Sequence, residues 1–490
     1  MDGLPVSNSS TLKFWPMLGK LVGALNEPFI IGLYVGHKDP QNVYDYLENL
    51  IIELNDFFKN GFEWNGSRFK FSVRHYILDA PARAFIKCII GHNGYGGCEK
   101  CTVVGKWIAN RMTFADLDKP LRTDESFQNQ DQPIHHQSYS PLLIVESKMV
   151  SQFRLDAMHL VYSGVFKRLL MAWLEWKGHF RLSLDIVASI SDLLKISLKY
   201  CPNDFNRKRQ DFSKAHFYKS TELRRMCIYD GIFIFFGPLD SNIYKHYLLL
   251  HAAIYILASP VLFRTMHNYA NELLRTFIVH SDAIYGEKFI VYNVHSIFHL
   301  AKECAEHGEL DSFSAFTFEN RLKSIKESLR SFCKPLEQVA KRDLEKDRIR
   351  SIRLPYDGSN IILSQRHIDP TETTPGIQYK KMIVNGVTFQ LGQRDSCLKT
   401  SDGDIMIITN IIQRNDNSVC VVGNKYRHSV DYYDYPLPSS VLGISKVSRL
   451  STTRNVLQLS NIQSKCWFIH IPHSESYLSI PLLHTMFAIH

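Results

Sequence analysis

The order of secondary-structure signals in the first 80 residues restricts the fold more than any other feature of this chain. Residues 28–36, PFIIGLYVG, form a short β-branched and aromatic run that predicts a buried strand. Asp39 and Pro40 predict the N-cap and first position of a helix that ends at Gly61. The stretch RFKFSVRHYILD predicts another strand, which ends at Asp79. This order indicates an α/β layer, and ligand sites commonly form at the ends of such strands.

Two later changes in composition divide the rest of the chain. Residues 153–290 contain long helical patterns such as SLDIVASISDLLKISLKY, which predict a mostly helical block. Residues 375–475 contain short runs rich in Val, Ile, Tyr and Thr between Asn, Gly and Asp turns, which predict a small antiparallel β domain. The apolar run that starts at Tyr247 contains His251 and Pro260 and falls short of the ~20 residues that span a bilayer, so a buried helix is expected and no membrane partner.

Charge and cysteine content narrow the class of protein. Lys and Arg number 57 and Asp and Glu number 48, so the formal net charge is +9, which favours a polyanion such as nucleic acid as partner. Ten cysteines among 490 residues are too sparse for a secreted disulfide framework. The N-terminus has no basic segment followed by an apolar core, as a signal peptide would. An intracellular, reduced protein is expected.

A C-x-x-C pair follows a glycine-rich segment. Cys98 and Cys101 have the spacing that lets two thiolates reach one tetrahedral zinc ion, and GHNGYGG before them allows the backbone to turn. Two further ligands are needed, and the sequence offers two sources. One is the local pair Cys88 and His92, and the other is the distant H-x-x-x-H pair in the segment YNVHSIFHL. The sequence has no H-E-x-x-H motif, which argues against a zinc hydrolase.

The distant pair lies in YNVHSIFHL. His295 and His299 are four residues apart, so on a helix they project from one face and can reach one metal ion. A thioredoxin-like redox role would require the cysteines to open a helix directly after a strand, and the glycine-rich approach to Cys98 argues against it. We therefore expect the cysteines to bind zinc, with either pair as the other two ligands.

Four acidic residues are candidates for a second type of metal site. Magnesium and manganese prefer oxygen ligands, and a two-metal phosphoryl-transfer site needs carboxylates that converge from different elements. The candidates are Asp2, Asp79, Asp156 and Glu319. Glu319 lies at the margin of the apolar stripe of a predicted helix that begins near Ser314.

A basic stretch within the helical block predicts contact with DNA. It mixes cationic side chains with aromatic ones, and such mixtures suit phosphate contact and base stacking. A solvated loop and helix face is the other interpretation of the same pattern. The predicted DNA-contacting residues are Arg207, Lys208, Arg209, Lys214, Lys219, Arg224 and Arg225, with Phe212, Phe217 and Tyr218 between them.

Taken together, these stretches resemble a known family over roughly residues 1–350. The chain is similar to the CACTA-type (En/Spm-like) DDE transposases of animal genomes. The segments that carry this similarity are DGLPVSNSSTLKFWPML, DAPARAFIKCIIGHNGYGGCEKC, LDAMHLVYSGVFKRLL, YNVHSIFHL and FSAFTFENRLKSIK. The resemblance implies an α/β RNase H-like core that is interrupted by a mostly helical insertion. It assigns residues 1–152 and 291–350 to the core and residues 153–290 to the insertion, and the β domain predicted from composition follows at residues 375–475.

The resemblance also implies the roles of the candidate residues. Asp2, Asp79 and Glu319 would be the catalytic acids and would hold two magnesium or manganese ions, with Asp156 in reserve. One structural zinc ion would be bound by Cys98, Cys101, His295 and His299. Tyr218 stands where similar proteins carry tryptophan, which weakens a stacking role there. The implied activity is metal-dependent cleavage and transfer of DNA strands in the nucleus by a homo-oligomer, with no small-molecule substrate.

The start of the chain sets a further expectation. Family members have several strand residues before the first acid, whereas only Met1 precedes Asp2 here. A metal ligand must be held within about 0.5 Å, so we expect the chain that begins at Met1 to cleave DNA poorly and an upstream-extended version to be active. The alternative function is a non-catalytic, zinc-containing protein that binds DNA or chromatin and reuses the fold.

Overall fold

The computed structural model describes residues 3–5, 11–23, 27–209, 211–330, 333–352 and 361–486. The N-terminal third alternates strands with helices, as the sequence predicts. Its elements are β1 (Leu4–Pro5), β2 (Lys13–Gly19), β3 (Phe29–Gly36), α1 (Val43–Asn60), β4 (Phe62–Trp64), β5 (Ser67–Phe69), β6 (Tyr76–Leu78), α2 (Ala80–Lys87), β7 (Lys106–Ile108), β8 (Arg111–Thr113), α3 (Asp124–Gln128) and β9 (Phe153–Leu155).

Helices dominate the next part of the chain. After a π-helix at Met158–Phe166 come α4 (Lys167–Glu175), α5 (Leu184–Lys199), α6 (Ser220–Arg225), α7 (Gly231–Ile234), α8 (Ser241–Ala258), α9 (Phe263–Tyr285), α10 (Tyr292–Ser296), α11 (Leu300–His307), α12 (Phe316–Glu327) and α13 (Pro335–Ile352). Helix α8 carries the apolar run and is buried along most of its length, as expected. In the described ranges, no helix combines the length and apolarity that crossing a bilayer requires.

The C-terminal part is antiparallel β structure. Its strands are β10 (Ile361–Arg366), β11 (Ile377–Val384), β12 (Val387–Gln390), β13 (Cys397–Thr400), β14 (Ile405–Gln413), β15 (Val419–Val430), β16 (Ser445–Gln458), β17 (Ile462–His470) and β18 (Tyr477–Pro481). Strands β14, β13, β17, β18, β16 and β15 pair in that order, and β15 pairs again with β14, so six strands form a closed barrel. The predictions of a mixed α/β chain and of antiparallel β structure in the C-terminal region are confirmed.

The chain divides into two compact units. The first comprises residues 1–165 and 281–355, and the second comprises residues 166–280 and 356–490. The barrel therefore belongs to the same unit as most of the helical block.

In the first unit, an antiparallel sheet with the order β1-β2-β3 has packing on both faces. Trp15 and Met17 of β2 join a core cluster with the buried face of α1, with α2 and with β6. Phe14, the neighbour of Trp15, points to the opposite face and packs with Ile325 of α12 and Val339 of α13. Alternate side chains of one strand thus contact two helical layers, as the period of a buried strand requires.

The predicted start of α1 is wrong by three residues. Asn42 is the N-cap, and its side chain accepts a hydrogen bond from the backbone N–H of Tyr44 at 2.9 Å. The Asp39 carboxylate instead accepts hydrogen bonds from Trp15 Nε1 at 2.8 Å and from Lys13 Nζ. Partners on β2 therefore compete for the aspartate that the local pattern assigns to the helix, and a second capping residue lies close enough to replace it.

The strand predicted to end at Asp79 is divided in two. Its first part forms β5, which pairs with β4 in a hairpin at residues 62–69. Its last part forms β6, which pairs in parallel with β9 so that Leu78 lies opposite Leu155. Residues 70–75 between them form no strand. Only the last part of the predicted strand therefore leads into Asp79.

Buried charges in the second unit link the helical block to the barrel. The Lys465 ammonium on β17 is buried and lies 2.5 Å from Asp204 Oδ2 and 2.7 Å from Asp395 Oδ1. Asp395 also accepts a hydrogen bond from the side-chain amide of Asn203 at 2.6 Å. Buried ions require such partners, so these contacts hold residues 203–204 against the barrel.

Two buried histidines of α8 predict loss of stability in acid. Burial lowers the pKa of His246 and of His251 to about 4. The unfolded chain takes up these protons near pH 6.5 and the folded chain only near pH 4, so their contribution is complete above pH 6.5 and falls between the two values. Each histidine should reduce the free energy of unfolding by about 1.4 kcal/mol per pH unit within that window. Between pH 7 and pH 5, calorimetry should show a smaller fall in melting temperature for His251→Gln than for the wild-type protein. The matched control is exposed His473→Gln, and an equal fall in both variants would contradict the prediction.

Candidate metal centre and acid cluster

A Cys2His2 cluster lies buried in the first unit. Its members are Cys98, Cys101, His295 and His299, and their potential ligand atoms all lie within 4.8 Å of one another. Cys98 Sγ is 3.5 Å from Cys101 Sγ and 3.6 Å from His299 Nε2, and Cys101 Sγ is 3.3 Å from His295 Nε2. All four side chains are at most 6% exposed, so the cluster is closed to bulk water.

The glycine-rich segment before Cys98 makes the tight turn that this cluster needs. The Gly94 N–H donates to the Gly91 carbonyl at 2.8 Å, and the Gly97 N–H donates to the Gly94 carbonyl at 3.0 Å. A Cβ atom on Gly96 would lie 2.8 Å from the carbonyl oxygen of Ile134. Any other residue at position 96 would therefore displace the backbone that leads into the cysteines.

The two histidines approach from α10 and from the turn that follows it. His295 lies in α10, which ends at Ser296, and His299 lies in a 3₁₀ turn, so the continuous helix expected from the H-x-x-x-H spacing is interrupted. His295 Nδ1 is 2.9 Å from the Phe114 carbonyl. Since that carbonyl accepts the proton of Nδ1, the lone pair of Nε2 faces the cysteines, as it does in histidines that bind zinc.

The distances fit a tetrahedral ion. Zinc bonds of ~2.3 Å to sulfur and ~2.0 Å to nitrogen imply sulfur–sulfur separations of about 3.8 Å and sulfur–nitrogen separations of about 3.5 Å. The observed separations of 3.5 Å, 3.6 Å and 3.3 Å lie close to these values. Burial raises the pKa of Cys98, but the Cys101 thiol and the two histidines lower it well below its usual range overall. This buried cluster can therefore hold a metal ion such as zinc.

The alternative local ligands do not join this cluster. Cys88 ends α2 in a left-handed conformation with a φ of 56°, and its thiol faces the Phe85 carbonyl at 3.8 Å. The His92 ring packs on Tyr292 with the centroids 5.9 Å apart. Among the described residues, neither side chain belongs to a group of three or more closely placed metal-ligating atoms.

Two of the predicted acids end neighbouring strands. Asp79 follows β6 and Asp156 follows β9, and these strands pair in parallel with Leu78 opposite Leu155. Asp79 is half-buried and caps α2, where its carboxylate accepts the Ala82 N–H at 2.9 Å. Parallel pairing thus brings the two carboxylates to the same edge, as is common for ligand sites in α/β proteins.

Asp156 is occupied by structural contacts. Its buried carboxylate accepts the backbone N–H of Ala315 at 2.7 Å and that of His159 at 3.0 Å. His159 Nδ1 lies 2.6 Å from the same group, and Met158 N and Ser314 Oγ supply further contacts. Burial raises the pKa of Asp156, but these hydrogen bonds lower it overall. Asp156 therefore fixes the start of α12, which leaves little of it free for a metal ion.

Glu319 lies one turn into α12. Its backbone N–H donates to the Ala315 carbonyl at 2.9 Å, and Ala315 in turn donates to Asp156. Ala315, not the expected Ser314, is the N-cap residue. Burial lowers the pKa of His159, but the Asp156 contact and the charges of Asp79 and Glu319 raise it overall. Both predicted acids therefore act electrostatically on one imidazole.

The acids do not form a closely spaced metal site. Within the described ranges, no three of the carboxylate and imidazole groups of Asp79, Asp156, His159 and Glu319 lie as close as the Cys2His2 ligands do. Asp2, the first predicted acid, lies outside the described residues. A magnesium or manganese site thus remains a prediction.

The predicted DNA-contacting residues differ in exposure. Arg207, Arg209, Lys214 and Lys219 are exposed, whereas Lys208 and Arg224 are half-buried. Arg225 is 1% exposed and faces Asp230 at 3.4 Å, so it is not available for contact with DNA as placed. Tyr218 and Phe212 are also buried, and Phe217 is 56% exposed. The alternation of cationic and aromatic residues in the sequence does not indicate which side chains are buried by the packing of the helices.

Lys214 and Lys219 give the cleanest test of DNA contact. Both side chains are exposed, so their removal should leave the fold intact. Each lost phosphate contact should lower the slope of log affinity against log salt by about 0.9. We expect Lys214→Ala with Lys219→Ala to weaken DNA binding equally across sequences and to reduce this slope by about 1.8 in anisotropy titrations. Lys195→Ala, an exposed residue paired with Asp192, is the control. An unchanged slope in the double variant would make this stretch a solvated surface.

Comparisons with known proteins add one finding. A family described as Domain of unknown function (DUF8592) matches residues 362–482, which include the closed barrel. A search of curated proteins found no match to this chain.

Proposed function

We propose that the first unit is a DDE-type catalytic core, related to the CACTA-type transposases, that cleaves and transfers DNA strands with the help of divalent metal ions. The observation that carries the proposal is the shared edge at which Asp79 ends one strand, Asp156 ends the next and Glu319 projects from the helix that Asp156 caps. Separate elements that deliver acids to one edge are what two-metal phosphoryl transfer requires.

The layers of the first unit support an RNase H-like interpretation. A three-stranded antiparallel sheet is followed by a helix and by two parallel strands that carry the acids. Helix α12 packs on the face of the sheet opposite α1. The DNA-contacting surface, the homo-oligomer and the nuclear location belong to the same proposal, as does the role of the barrel as an accessory domain.

Each side chain has a distinct role in this proposal. When bound, magnesium or manganese would activate the attacking oxygen and stabilise the leaving oxygen of the DNA phosphate. Asp79 and Glu319 would hold these ions together with Asp2. Asp156 contacts His159 and the backbone N–H of Ala315, so it positions the start of α12, the helix that carries Glu319. The Cys2His2 cluster would hold a structural zinc ion, which provides folding energy and takes no part in the reaction.

A second candidate function is non-catalytic binding of DNA by a zinc-containing protein. The observation that favours it is the contrast between the compact Cys2His2 cluster and the more widely spaced acids. Incubation with a supercoiled plasmid that carries the genomic DNA flanking this coding sequence separates the two. Nicking that requires manganese or magnesium supports the catalytic proposal, and stable binding with intact DNA supports the second function.

A further inference from the structure

The two residues between the zinc-type cysteines are charged and buried. The Glu99 carboxylate accepts hydrogen bonds from Arg83 Nε at 2.8 Å, from Lys87 Nζ at 3.0 Å and from the Tyr292 hydroxyl at 2.8 Å. Arg83 and Lys87 lie on α2, the helix that Asp79 caps, and Tyr292 opens α10, which carries His295. Glu99 therefore joins the cysteine turn to the helix behind the second predicted acid.

Arg83 continues this path to the strand ends. Its Nη1 donates to the Leu78 carbonyl at 2.6 Å and is 3.4 Å from the Arg154 carbonyl. Leu78 directly precedes Asp79, and Arg154 lies two residues before Asp156. One guanidinium held by Glu99 thus binds the backbone of both strands that deliver acids.

Lys100 forms a second path to the same edge. Its ammonium donates to the Val150 carbonyl at 2.9 Å and to the Phe153 carbonyl at 2.7 Å, and it forms an ion pair with Glu303. Glu303 Oε2 in turn accepts the Leu155 N–H at 2.9 Å, and Leu155 directly precedes Asp156. The second charged residue of the cysteine turn therefore reaches β9 both directly and through α11.

The charged side chains that form these contacts are almost completely buried. Glu99 and Arg83 are each 4% exposed at the side chain, and Lys87 is fully buried. Burying charged groups is costly unless each has well-placed partners, and removal of one partner leaves an uncompensated charge. A loop that only bound a metal ion would not require ionic contacts to two strand ends.

We infer that Glu99 and Lys100 are positioning residues that transmit occupancy of the Cys2His2 site to the ends of β6 and β9. The inference rests on the proposed function in that these strand ends carry the acids of the active site. Metal binding fixes the cysteine turn, and the two charged residues then hold the backbone on which Asp79 and Asp156 depend. Without the metal ion, or without these two side chains, the strand ends move more freely.

Hydrogen–deuterium exchange of the full chain tests this coupling. In the wild-type protein, removal of zinc by a chelator should speed exchange in residues 76–87 and 153–159 by about ten-fold, which corresponds to a typical coupling between sites. Glu99→Gln should retain zinc but exchange rapidly at 76–87 whether or not zinc is bound. Lys100→Met should do the same at 153–159, and Lys100→Arg should restore protection. Asp116→Asn, in an exposed ion pair with Lys119, is the matched control and should behave as wild type.

Three results would overturn the inference. The first is an equal response to zinc removal in Glu99→Gln and in the wild type. The second is a chelated wild-type protein that loses protection at residues 98–101 but not at the strand ends. The third is a failure of Lys100→Arg to restore what Lys100→Met loses. Should Glu99→Gln not fold, the chelated wild type and the Lys100 variants still decide the question. Exchange does not depend on cleavage, so a chain that shows the coupling but never nicks DNA would contradict the proposed function and leave this inference intact.

Discussion

Cys98→Ser should abolish zinc binding and cost the first unit substantial stability. All four members of the cluster are buried, and the thiol of Cys98 lies within 3.6 Å of both Cys101 Sγ and His299 Nε2. A structural zinc ion contributes folding energy directly, so its loss should lower the free energy of unfolding of this unit by several kcal/mol. Metal analysis of the purified wild-type protein should find about one zinc per chain.

The local ligand set provides the matched controls for this prediction. Cys88→Ser and His92→Ala should keep zinc, because these side chains do not belong to the cluster. His295→Ala and His299→Ala should each lose it. Zinc that persists in both histidine variants and disappears in Cys88→Ser would contradict the assignment and favour the local set.

Asp79→Asn and Glu319→Gln should each reduce metal-dependent nicking of DNA by about a thousand-fold or more. Both changes preserve size and remove the negative charge that would hold a divalent cation, and phosphoryl transfer with two metals requires both ions. Glu327→Gln is the control, since Glu327 lies on the same helix but is 65% exposed in an ion pair with Lys323. Nicking is measured on supercoiled plasmid in magnesium or manganese. Activity that survives in both acid variants would show that these residues are not catalytic.

The local elements and the candidate Cys and His metal ligands could be predicted from the sequence because both follow from short-range patterns. The strand at 29–36, the helix that ends at Asn60 and the antiparallel C-terminal strands all follow from periodicity and turn residues. The spacings C-x-x-C and H-x-x-x-H likewise mark the four side chains that the structure brings together. Each of these signals lies within a few neighbouring residues.

The contacts that position the acids could not be predicted in this way. Arg83 binds Glu99 and the Arg154 carbonyl, and Glu303 binds Leu155, so each contact joins residues that are distant in sequence. A single sequence offers no signal for such partners, since an arginine or glutamate on a helix is expected to face solvent. The contact of Asp156 with the start of α12 is not visible in the sequence for the same reason, because Ala315 follows 159 residues later.

Manganese binding by the zinc-loaded full chain tests whether Asp79 and Glu319 hold the catalytic metal ions. Electron paramagnetic resonance reports bound Mn²⁺ without requiring DNA cleavage or a known target sequence. We expect the wild-type protein and Glu327→Gln to bind Mn²⁺ alike in the presence of DNA. Asp79→Asn and Glu319→Gln should lose this binding and retain zinc. Equal Mn²⁺ binding in all four proteins, or none in the wild type, would contradict the claim that these two acids hold the catalytic metal ions.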